Sequence, residues 1–148
     1  MSYLKFLKEK DIYLDLKAKD RNDTIYQIVR RLKFKNKDKI FKAVIEREDL
    51  RTTAIGDGVA LPHARTKLVK EIVIKFAMLE KGIDFNAPDK KPVHYIFLII
   101  APYTNTPGYL ATIARMVKII SNPKNKKALS GIKTEKNALS ILKNDKNS

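Results

Sequence analysis

Apolar positions along this chain recur with two periods. Ile12-Tyr13-Leu14-Asp15-Leu16 alternates well enough for a short strand, and Asp20-Arg21-Asn22-Asp23 behind it offers a helix start with an acidic first turn. Ile25, Ile28, Val29 and Leu32 then share one face at helical spacing, which predicts a helix ending near Lys33. A second amphipathic run follows Asn36-Lys37-Asp38. It turns Ile40, Phe41, Val44 and Ile45 inward and Lys39, Lys42, Glu46 and Glu48 outward, and carries Arg47 near its end. From Arg51 to Thr66 the pattern breaks. Paired threonines, two glycines flanking Asp57 and a proline before His63 predict loops and short strands, with glycine where the backbone turns or approaches something closely.

Farther on, Ile72-Val73-Ile74-Lys75-Phe76-Ala77-Met78-Leu79 is rich in strand formers. The run from Pro92 to Pro102 is apolar almost throughout and lacks alternation, which predicts a central strand buried on both faces. The segment between them, Gly82 to Lys90, is too long for a tight hairpin and is expected to form an excursion with its own packing. Leu110, Ile113, Val117 and Ile120 make one helical stripe. Pro123 opens a short helix, and a last helix spans Asn137 to Lys143 around Ala138, Leu139 and Leu142, with Asn144 to Ser148 expected to fray. The fold class expected is α/β (α+β), a single layer of mixed β-sheet flanked by helices. It is read as one domain over residues 1–148 with its core from about residue 12 to residue 142, because no repeat, heptad seam or linker interrupts it.

Composition narrows the chemistry. With 148 residues and 44% hydrophobic content the chain can bury a real core, and the lack of cysteine removes disulfides, thiolate nucleophiles and iron–sulfur sites. Charge is scattered through the first ten residues, unlike a signal peptide. The longest strongly apolar run, Tyr95 to Ala101, falls far short of the roughly 20 residues of a spanning helix. The expectation is a cytoplasmic protein without membrane insertion. Lys and Arg number 31 against 16 Asp and Glu, a formal charge of +15 that raises a nucleic-acid or acidic-membrane partner. Most of these cations are lysines spread along the chain and interleaved with asparagine, as in Lys124-Asn125-Lys126-Lys127, so a solvated charged surface is favoured over a nucleic-acid footprint. Such a surface helps to capture acidic protein partners.

Few residues are left to carry a reaction. The only histidines are His63 and His94, without the close pairing of a metalloprotease helix, so no metal site is expected. Gly56-Asp57-Gly58 lacks the lysine of a phosphate-binding loop, and no serine lies in a nucleophile elbow. His63 is framed differently: Pro62 fixes the approach of the chain, Ala60 and Ala64 leave room, and the upstream glycines free backbone N–H groups to face a ligand. A phosphoryl-bearing imidazole needs such a setting, with one nitrogen free as nucleophile and the other hydrogen-bonded. Local composition alone leaves this reading level with a loop histidine that has no role. His94, at the start of an apolar strand, reads as a structural histidine.

The longer string from Arg47-Glu48 through Arg51-Thr52-Thr53-Ala54-Ile55-Gly56-Asp57-Gly58-Val59-Ala60-Leu61-Pro62-His63-Ala64-Arg65 resembles the IIA component of the fructose/mannitol class of the phosphoenolpyruvate-dependent sugar phosphotransferase system, a class that includes the nitrogen-regulatory IIA proteins. Gly82-Ile83-Asp84-Phe85 and the strand from Pro92 to Pro102 extend the likeness to about residues 12–142. The resemblance implies a mixed sheet flanked by helices and no metal or organic cofactor. It implies that His63 accepts a phosphoryl group from the small carrier HPr or a nitrogen-branch equivalent and passes it to a IIB domain, or signals to a regulatory protein target. It also implies that Arg47 pairs with the phosphoryl oxygens, with an exposed helix arginine as the alternative, and that Gly58 belongs to the phosphate-site support. Thr52 and Thr53 stand where a hydroxyl holds the phosphate or the imidazole, though either serves equally as strand filler. Arg65 is read as a surface residue or a contact for an acidic partner. Tyr109 is a departure, standing where the family commonly has a second histidine; a phenol donates one hydrogen bond but supplies no cation near neutral pH. Two functions of different class therefore stay open: a phosphoryl-transfer intermediate, and a regulatory binding module on the same fold that does not transfer.

Overall fold

The computed structural model describes residues 3–143. Two short 3-10 turns, Tyr3–Phe6 and Glu9–Asp11, lead into strand β1 (Ile12–Leu16) and helices α1 (Arg21–Val29) and α2 (Lys37–Leu50). Short strands β2 (Ala54–Gly56), β3 (Val59–Ala60) and β4 (His63–Arg65) follow, then the long strands β5 (Val73–Ile83) and β6 (Val93–Ala101), and finally helices α3 (Thr106–Ser121), α4 (Pro123–Ser130) and α5 (Glu135–Leu142). The fraying expected of Asn144 to Ser148 lies outside the described residues.

One mixed sheet organises the fold. Its path is β1-β5-β6-β3-β2, with β4 also pairing β6. β5 and β6 run antiparallel, placing Phe76 opposite Phe97, and β1 runs parallel to β5. β3 and β4 lie end to end along one edge of β6, both parallel to it, with Val59 opposite Tyr95 and His63 opposite Ile99. Strand β6 is central and buried on both faces, as its unbroken apolar run requires. Ile96, Leu98 and Ile100 face the layer holding α1 and α2, whereas Phe97, Ile99 and Ala101 face the layer holding α3, α4 and α5.

Three sequence expectations are corrected here. The first helix gives way after Val29 to a tighter turn, in which Arg31 and Leu32 donate to carbonyls three residues back. Leu32 stays in the core without helical geometry. In α3 the inward face is set by Gly108, Tyr109, Thr112, Met116, Ile119 and Ile120, and Leu110 is 57% exposed. Ile120 is buried and Ile113 and Val117 are half-buried against the same core, as the predicted stripe requires, so the departure lies in the first turn, where Gly108 and Tyr109 face in and Leu110 faces out. Close packing decides this: a Cβ at Gly108 would lie 2.7 Å from the Tyr3 ring, so the first turn of α3 must bring its smallest residue against the N-terminal segment. The third is Glu48, expected to face outward and only 2% exposed. Both of its carboxylate oxygens are occupied by Thr53, whose N–H donates at 2.7 Å and whose hydroxyl donates at 2.5 Å. Burial of a carboxylate is tolerable when its lone pairs are filled in this way.

Candidate functional site

His63 opens β4, at an edge of the sheet that packs against α2 and that the first turn of α3 approaches through Tyr109. Its Nδ1 lies 2.7 Å from the Leu61 carbonyl. A carbonyl oxygen only accepts, so Nδ1 carries the proton and Nε2 keeps its lone pair. Pro62 supplies the rigid step that brings the Leu61 carbonyl under the ring. The ring is half-buried, and this desolvation is the main reason its pKa is held below the ordinary 6.5. The Leu61 hydrogen bond opposes that shift, the Arg47 charge adds to it, and the Glu48 charge opposes it. Near neutral pH the imidazole is therefore uncharged and its outer nitrogen is a competent nucleophile.

Arg47 reaches this site from the last turn of α2, with one guanidinium nitrogen donating to the Arg51 carbonyl at 2.7 Å. The buried Glu48–Thr53 clamp fixes the same helix-to-strand corner, so the backbone that aims Arg47 is itself anchored. Tyr109 arrives from the first turn of α3, its ring centre 6.0 Å from that of His63 and its residue 7% exposed. Burial raises the Tyr109 pKa from its ordinary value, with Arg65 and then Arg47 pulling the other way, so the phenol keeps its proton. His63, Arg47 and Tyr109 are thus brought together from three separate elements.

The other predicted positions are differently employed. Thr52 donates its hydroxyl to the Phe85 carbonyl at 2.7 Å and accepts the Ala54 N–H, tying the loop to the excursion before β6. Thr53 spends its hydroxyl on Glu48. Gly58 is not beside His63. Its carbonyl accepts the His94 and Tyr95 N–H groups, five strand positions from Ile99 and so roughly 16 Å away along the sheet. Gly56 and Gly58 take φ of +94° and +81°, and with Asp57 at +54° they make the β2–β3 turn rather than a ligand cradle. His94 donates Nδ1–H to the Leu79 carbonyl at 3.0 Å, the role of a structural histidine.

Hydropathy overlooked two residues. Glu48 is the first, and the hint was a Thr-Thr pair just past the helix end. The second is Arg65, read as surface. It stands two residues beyond His63 on β4, so the period of the strand puts both side chains on one face. Its guanidinium carbon lies 5.2 Å from the Tyr109 ring centre and 5.4 Å from that of Tyr103. One terminal nitrogen donates to the Thr106 hydroxyl at 2.6 Å and the Tyr103 carbonyl at 3.1 Å. Among the described residues no group of three or more His, Asp or Glu side chains is arranged to hold a metal ion.

Residues 5–145 match the family model of the phosphoenolpyruvate-dependent sugar phosphotransferase system, EIIA 2. The chain belongs to this family. A nitrogen regulatory protein of Bradyrhizobium diazoefficiens is 33% identical to this EIIA chain over 107 residues, 72% of this chain and 70% of that one. The fructose-specific EIIABC component of Bacillus subtilis is 26% identical over 146 residues, which span 96% of this chain but only 23% of that longer protein. Among solved structures, the nitrogen regulatory protein IIA-Ntr of Neisseria meningitidis superposes with a TM-score of 0.89 at 25% identity, covering 94% of this chain and 97% of that one. Enzyme IIA-Mtl of Escherichia coli, in its complex with phosphorylated enzyme IIB-Mtl, superposes with a TM-score of 0.78 over 92% of this chain and 96% of its own, and at 18% identity it shares the EIIA fold. No helix among the described residues of this EIIA chain is long and apolar enough to cross a membrane.

Proposed function

We propose that this EIIA protein is a cytoplasmic phosphoryl carrier in which Nε2 of His63 accepts a phosphoryl group from the phosphohistidine of an HPr-like carrier and delivers it to a IIB domain. The observation that carries the reading is the hydrogen bond from His63 Nδ1 to the Leu61 carbonyl, which leaves Nε2 unprotonated and outward. In the transfer, the Nε2 lone pair forms the new N–P bond while the donor's N–P bond breaks and its electron pair returns to the donor imidazole. No proton need move: each ring keeps the one on its other nitrogen. The phosphorylated His63 ring is then cationic, a charge the Leu61 carbonyl helps to hold, and Arg47, whose charge already acts on the ring, is the cation proposed to pair with the phosphoryl oxygens.

A protein donor and a protein acceptor suit the surroundings. Leu50 at the end of α2, Tyr103 in the loop before α3 and Leu110 in α3 are 84%, 56% and 57% exposed, apolar surface of the kind that protein partners cover. The solved complex of IIA-Mtl with phosphorylated IIB-Mtl supports a IIB domain as the recipient. A second use of the same phosphoryl group, as a signal read by a regulatory target, is supported by the relatives named nitrogen regulatory proteins. The test is incubation with phosphoenolpyruvate and the two general phosphotransferase proteins. Acid-labile, alkali-stable label is expected on the wild type and none on His63→Ala; a folded wild type that stays unlabelled beside competent carriers defeats the proposal.

A further inference from the structure

A tyrosine at position 109 leaves the phosphoryl site one cation short of what a second imidazole would provide, and the structure holds a guanidinium beside that tyrosine. We propose that Arg65 is the second cation of the phosphoryl site, forming with Tyr109 a cradle beside His63. The inference rests on the reading of His63 as the phosphoryl acceptor.

Three observations carry it. His63 and Arg65 are alternate residues of β4 and project from the same face, with backbones roughly 7 Å apart. Tyr109 is close to both, 6.0 Å from the His63 ring centre and 5.2 Å from the Arg65 guanidinium carbon, so a phosphoryl group standing on Nε2 beside the phenol comes within reach of the guanidinium. Finally, the donors of Arg65 are only partly used. One terminal nitrogen serves Thr106 and Tyr103, whereas Nε is buried without a hydrogen-bond partner among the described residues. An arginine kept only to brace the loop before α3 would be expected to pair that buried donor, since an unmet one is costly. A phosphoryl oxygen on His63 is an acceptor that a small shift of the guanidinium would bring to this buried donor.

Tyr103 and Tyr109 explain why the guanidinium stays in place when no phosphate is present. Arginine stacks on aromatic faces, and here it has one on each tyrosine, while Thr106 fixes the end of the fork. The protonated phenol of Tyr109 adds one neutral donor to the same cradle. Arg65 thereby supplies the charge and Tyr109 the directed hydrogen bond that one imidazolium would combine.

The test compares phosphoryl transfer to wild type, Arg65→Lys, Arg65→Gln and the double variant Arg65→Gln/Tyr109→His, with the phosphorylated carrier as donor and phosphoramidate as a carrier-free donor. Circular dichroism reports folding of each. Arg65→Gln is expected to slow transfer roughly 10- to 100-fold with both donors. Arg65→Lys should lose less, and Tyr109→His should restore the Gln variant to within a few-fold of wild type. In the phosphorylated proteins, the 31P titration of the phosphoryl group should move up by roughly half a pH unit on losing the Arg65 charge, which a merely structural arginine would not cause. Wild-type rates and an unmoved 31P titration in a folded Arg65→Gln overturn the role of Arg65 and leave His63 as acceptor. A slowed Arg65→Gln that Tyr109→His fails to rescue, with the 31P titration unmoved, also overturns it. A wild type that takes phosphate from neither donor overturns both readings together.

Discussion

At His63 opposing influences act on one imidazole, and two of them dominate. Desolvation disfavours the charged ring, the Leu61 carbonyl favours it, and the balance leaves the pKa below 6.5. The sign of the consequence follows from the unfolded chain, where the same ring titrates near 6.5 and binds a proton more readily than the folded ring does. His63 therefore leaves folding stability whole above pH 6.5 and erodes it as the pH falls from 6.5 toward the lowered folded value. Proton NMR should find the His63 midpoint below 6.5. Urea unfolding at about pH 7.5 and about pH 5 should show a larger acid loss for wild type than for His63→Gln, and equal losses in the two would contradict the buried, neutral ring. The same titration sets phosphoryl acceptance, which is expected to hold level through neutrality and fall only when Nε2 becomes protonated.

At the scale of elements, the corner from α2 to β2 sets the aim of the site. Arg47 and Glu48 are consecutive residues that point to different tasks, one toward the His63 surface and one into the core, where Thr53 fills both carboxylate oxygens. Glu48→Ala strands the Thr53 donors in a buried place and is expected to cost about 2–4 kcal/mol in chemical denaturation. Transfer should slow as well, because Arg47 loses its fixed backbone; unchanged stability would mean that the clamp contributes nothing. This corner also marks where the sequence stops being legible. Ile40 and Val44 announce their burial through spacing alone, and β6 does so through its lack of alternation. Glu48 does not, since hydropathy sends every carboxylate outward and its partner lies beyond the helix. The departure in the first turn of α3 was hidden for a related reason: Gly108, Tyr109 and Thr112 turn inward without being strongly apolar, whereas Leu110 is apolar and exposed.

Over the whole molecule, the sheet brings together residues that a linear reading keeps apart. The motif around His63 made the candidate acceptor legible, yet the same motif includes Gly58, which the parallel pairing of β3 and β4 along β6 carries to the far end of that edge. Arg65 was illegible because its aromatic neighbours come from the loop before α3 and from α3 itself. The net charge of +15 is likewise a property of the whole surface. Spread over many lysines, it is expected to give weak binding to duplex DNA that vanishes by about 150 mM salt, where exposed charges more than about 8 Å apart are screened. Gel retardation that survives that salt with sequence preference would point to a nucleic-acid site instead.

The central claim, that His63 carries a phosphoryl group on the nitrogen turned away from Leu61, has a direct measurement. Nitrogen-15 and 31P NMR of the phosphorylated protein distinguish the two ring positions through their coupling to phosphorus. Phosphorus bonded to Nε2, with the proton still on Nδ1, is the result predicted from the Leu61 hydrogen bond. Phosphorus on Nδ1, or no phosphoimidazole signal from a folded protein exposed to competent donors, would contradict it.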